Sequence, residues 1–228
     1  MKQGGDCSRC SVLGVGRSLI PAGRASMSQY ITEQHPLRLL LREATDWAFR
    51  HGRFPEDTAR DARLKGYLSE DLLVRFLHVD QLYRLRDARG RPLADVAEML
   101  ISGEAEGVSA ELRTLSVQRH IGDYTLFITG IFPESLERVR RDWRRKDSVM
   151  VQLGDLVVPF SDPGEYYEEA GRRAYRRAAE IGREVGLTQA DVFEKLSQFF
   201  RAYVGLMSLI RMYLDASPVF QERGGLLS

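Results

Sequence analysis

SAELRTLSVQRHIGDYTLFITGIF, residues 109–132, is the stretch on which the fold turns. Leu115, Val117, Ile121, Tyr124, Leu126, Phe127, Ile128, Ile131 and Phe132 recur at helical spacing but occupy more than one face. A helix that is apolar on several faces cannot lie on a surface, so this segment predicts a central helix surrounded by others. Ser109 suits its start, and Gly130 followed by Pro133 suits its end.

Outward from this segment the pattern supplies those neighbours. Upstream, Leu37, Leu40, Leu41, Ala44, Trp47 and Ala48 predict a helix from Pro36 to His51, with Gly52 as the stop. Half of residues 53–66 are charged, and the stretch reads as a loop or a short exposed turn. Ser69 reads as an N-cap, followed by the stripe Leu72, Leu73, Phe76, Leu77, Val79, Leu82 and Tyr83. Pro92 reads as the first turn of a further helix that ends at Gly103. Downstream, Pro133 opens a charged helix to about Arg145, and Asp162-Pro163-Gly164 reads as a turn. Two long helices follow. One runs from Glu165 to Val185, and the other is capped by Thr188 and carries Val192, Leu196, Phe199, Phe200, Tyr203, Val204, Met207, Ile210 and Leu214 on a broad apolar face. Val149-Met150-Val151 and Leu156-Val157-Val158 around Gly154-Asp155 form the single strand-like stretch, a small hairpin within 149–160.

The expectation is therefore all-α: a single multi-helix bundle of six or seven helices over residues 27–217, with 109–132 and 188–216 at its centre. Residues 1–26, rich in Gly and Ser without any period, read as a poorly ordered lead, and 218–228 as a tail. Met27 is an alternative start. A targeting peptide is the less favoured reading of the lead, because its apolar stretches are too short for a secretory signal.

Composition narrows the class. The 228 residues carry 33 Lys plus Arg against 32 Asp plus Glu, a net charge of +1, so a strongly basic binder is excluded. Two cysteines three positions apart, Cys7 and Cys10, cannot staple distant parts of a fold, which fits a reducing, cytoplasmic setting. A mean hydropathy of −0.30, without any apolar run near membrane length, argues against a spanning segment. Fixed-period repeats are absent, which argues against a solenoid.

Chemistry has few places to sit. Cys7-x-x-Cys10 could hold a metal, but the chain has no second cysteine or histidine pair to complete four ligands, and the expectation is that no metal is bound. Neither a phosphate-binding loop nor a nucleophile elbow is present. His120 is the residue of most interest: it lies on the central helix three positions before Asp123, so the carboxylate could orient its ring. With Tyr124 and His78, which lies between apolar Leu77 and Val79, it forms a candidate polar or ligand site. A buried His–Asp hydrogen bond that fixes helix register is the favoured reading of that pair, with an acid–base or ligand site as the alternative. Arg172, Arg173, Arg176 and Arg177 make two i,i+4 rows, a candidate anion-binding face, although Glu165, Glu168 and Glu169 stand where they would pair with them. Six cations between Arg138 and Lys146 form a second basic run. The small residues Ala202, Gly205 and Ser208, spaced by three, permit close approach of a neighbouring helix or a second subunit.

No cofactor is indicated. The leading expectation is a helical interaction or regulatory protein that associates with itself. A helical enzyme or ligand carrier using His78 and His120 is the alternative, and nucleic-acid binding through the arginine rows is the third reading.

Overall fold

The computed structural model describes residues 32–54, 58, 60–87, 89–93, 96–102, 110–144 and 162–218. The lead with Cys7 and Cys10, the hairpin at 149–160, the tail beyond 218 and the end of the second basic run lie outside these residues. Within them the fold is all-α, with nine α-helices and one π-helical segment.

Helix α1 (Pro36–His51) starts where proline costs no hydrogen bond, and the His35 ring caps it by accepting the Leu37 N–H at 3.2 Å. Helicity resumes earlier than composition suggests. Asp61 caps α2 (Ala62–Gly66) by accepting the Arg63 and Leu64 N–H groups, and α2 runs straight into the π-helical segment Tyr67–Val74. Charge therefore misreads residues 62–66: the cap, and Leu64 buried beneath, override it. Ser69 is not a cap but lies inside the π segment, where its hydroxyl donates to the Lys65 carbonyl at 2.9 Å. After a break at Leu77–His78 comes the short α3 (Val79–Leu82). Pro92 does not open a helix either; it pairs with Arg86 across a turn in which Gly90 has φ 79°, and α4 is Val96–Ser102.

Helix α5 (Ala110–Ile131) is buried on every face from His120 to Ile131, as its all-round apolar pattern demands. Gly130 does not break it. An added Cβ there would lie 2.2 Å from Met207 Cβ, so this glycine serves close packing. Helix α6 (Ser135–Arg144) follows, beginning just after Pro133.

Asp162-Pro163-Gly164 is a helix start rather than a free turn: Asp162 accepts the Gly164 N–H at 2.7 Å and Pro163 is the first residue of α7 (Pro163–Glu184). That helix ends in a Schellman turn, with Gly186 at φ 71° and the Leu187 N–H bonded to the Gly182 carbonyl at 2.7 Å. The final apolar run is two helices, α8 (Ala190–Gln198) and α9 (Phe200–Asp215), because Phe199 leaves the helical region (φ −117°, ψ 32°). Gln189, not Thr188, stands at the α8 N-terminus.

Helix α5 packs chiefly against α7 and then α9; α8 closes on α7, and α1 lies across α9 and the π segment. One apolar cluster runs through all of them, from Leu41 to Leu214.

Candidate functional site

On α5, Ser116, Arg119, His120 and Asp123 follow the i, i+3, i+4, i+7 spacing that places them on one helix face. They form a polar stripe on the most buried helix, and the sequence around Asp123 makes room for it. Gly122 lies against the Tyr175 ring, where a Cβ would come within 2.7 Å of it.

Asp123 is completely buried. Its Oδ1 accepts the Tyr67 hydroxyl at 2.5 Å and the Tyr175 hydroxyl at 2.8 Å, and its Oδ2 accepts from Arg75. Arg119 Nε lies 3.6 Å from Oδ2 and donates to the Tyr67 oxygen at 3.2 Å, while its terminal nitrogen reaches Asp71 at 3.1 Å. The π segment supplies Tyr67 and Asp71, α7 supplies Tyr175, and α5 supplies Asp123 and Arg119, so one carboxylate joins three elements. Burial alone would raise its pKa, but Arg75, Arg119 and the Tyr67 hydrogen bond hold it below the ordinary carboxylate value. Burial and the Asp123 charge push both phenols well above theirs, so they remain donors.

His120 is not the partner of Asp123, whose oxygens are spent on Tyr67, Tyr175 and Arg75. The imidazole packs edge-on to Phe76 at 5.9 Å and lies 6.3 Å from the Tyr124 ring. The Leu82 backbone is the polar group beside the ring, and Nε2 is buried without a hydrogen-bond partner among the described residues. Burial, with Arg84 and Arg75 nearby, pushes its pKa down to about 4, so the ring is neutral. His78 stands at the α3 N-terminus, its backbone N–H on the Arg75 carbonyl, and it makes neither a ring contact nor a hydrogen bond with His120. The structure thus keeps His120, Asp123 and Tyr124 in one region and leaves His78 at its edge.

Sequence reasoning missed Tyr67, Arg75, Arg119 and Tyr175. Their side chains meet across 48 to 56 positions of sequence, which no local spacing reveals. The one local signal was a Gly-Asp pair in the middle of an otherwise apolar helix.

The arginine rows of α7 are mostly paired at home. Glu169 takes both Arg172 and Arg173, and Glu180 takes Arg177. Arg176 is exposed without a carboxylate partner among the described residues. In the second basic run, Arg140 is paired with Glu137 and Asp162. A groove of about 550 Å³ lies between the first turns of α7 and the α8–α9 junction, lined by Glu165, Glu168, Arg172, Phe199, Arg201 and Ala202 among others.

Among the described residues, no group of three or more His, Cys, Asp or Glu side chains is arranged to hold a metal ion, and no helix is long and apolar enough to cross a membrane. No protein family, curated protein or solved structure matches the chain.

Proposed function

We propose that this chain is a helical interaction protein that associates with itself through the outer face of α9, and that the Asp123 network is its internal brace rather than a reacting centre. The observation that carries the reading is Gly205. Glycine in the middle of an exposed helix costs about 0.5–1 kcal/mol relative to alanine. Elsewhere in the long helices the chain uses that cost: Gly122, Gly130 and Gly171 each lie where a Cβ would come within 2.2–2.7 Å of a neighbouring side chain. Among the described residues nothing comes within 4 Å of an added Cβ at Gly205. It lies on an exposed strip with Ala202, Ser208 and Met212, and Phe199 is exposed just beyond the start of the helix. A second copy approaching along this strip gives the glycine a close contact that the described residues of its own chain do not.

The enzyme reading has less support, because the acceptor positions of Asp123 face donors from its own chain and the neutral His120 lies away from them. The nucleic-acid reading is weakened by the pairing of Arg172, Arg173 and Arg177 with glutamates. A cytoplasmic setting goes with this proposal, since neither of the two cysteines calls for an oxidising compartment.

Sedimentation velocity over a concentration series tests it. Wild type is expected to form a dimer or small oligomer, and Gly205→Glu, which places a charge on the strip, to sediment as a monomer with unchanged helicity. A wild type that stays monomeric throughout, or an oligomer indifferent to Gly205→Glu, would refute the proposal.

A further inference from the structure

We draw no further inference here: the strongest candidate, the groove of about 550 Å³ between the first turns of α7 and the α8–α9 junction, carries nothing, since its Glu168 and Glu169 carboxylates are held by Arg201 and Arg172 of their own chain and nothing among the described residues shows what covers the exposed Phe199 ring that lines it.

Discussion

His120 lies among Phe76, Tyr124 and the Leu82 backbone, with two arginine charges near it, and this setting gives it a measurable signature. Its pKa falls from 6.5 to about 4 in the folded chain, burial being the first cause and Arg84 the second. The unfolded chain therefore takes up a proton on this ring at a higher pH than the folded one. Stability from this residue is fully present above pH 6.5, declines as pH falls through the interval down to about 4, and levels off below. At 1.36 kcal/mol per pH unit the decline amounts to about 3 kcal/mol. Denaturant unfolding at a series of pH values checks it: His120→Gln should remove most of the wild-type slope between pH 6.5 and 4. An unchanged slope would mean that the ring titrates freely. That His120 is buried was legible from its place in a helix apolar on several faces. Its true neighbours were not, because Phe76 and Leu82 reach it from another part of the chain.

At the scale of the helices, packing rather than propensity decides what a glycine does, and α5 and α9 give opposite answers to one substitution. In Gly130→Ala the new Cβ meets Met207 Cβ at 2.2 Å and the Val204 carbonyl at 3.1 Å, both close to the α9 backbone, so the helices must separate. A loss of about 1–3 kcal/mol is expected, overriding the helix-propensity gain. Gly205→Ala, on the open strip, is expected to stabilise the monomer by about 0.5–1 kcal/mol. Equilibrium unfolding at concentrations low enough to keep the protein monomeric compares the two, and equal effects would show that α5 and α9 do not meet as described. The termini of α1 and α7 were readable to within a residue or two because Pro36, Gly52, Pro163 and Gly186 act locally. The π segment and the break at Phe199 were not. Both answer to tertiary demands, the first bringing Tyr67 and Asp71 to Arg119 and the second letting α8 pack on α7 while α9 turns to α5. A fixed helical period could see neither.

Across the whole molecule, the all-α class and the central position of α5 followed from one segment, residues 109–132, since a helix apolar on several faces has few ways to be covered. What that pattern hid is why the helices hold one arrangement. Apolar stripes tolerate sliding, whereas a buried carboxylate that must meet two phenols and a guanidinium from distant parts of the chain does not. Buried ionic groups can also be neutral or costly to stability when exchanged as a set, so the decisive variant removes one charge and leaves its partners behind. Asp123→Asn keeps the volume, strands Arg75 beside a neutral amide and turns an acceptor-only group into one that also donates toward Tyr67 or Tyr175. The measurement is the unfolding free energy of wild type and Asp123→Asn at pH 7 from chemical denaturation, with near-ultraviolet circular dichroism recorded on both. A brace predicts a loss of about 3–5 kcal/mol and a weakened tyrosine signal. An Asp123→Asn protein as stable as wild type, or more so, would show that the carboxylate is kept for something other than holding the fold, and would contradict the account.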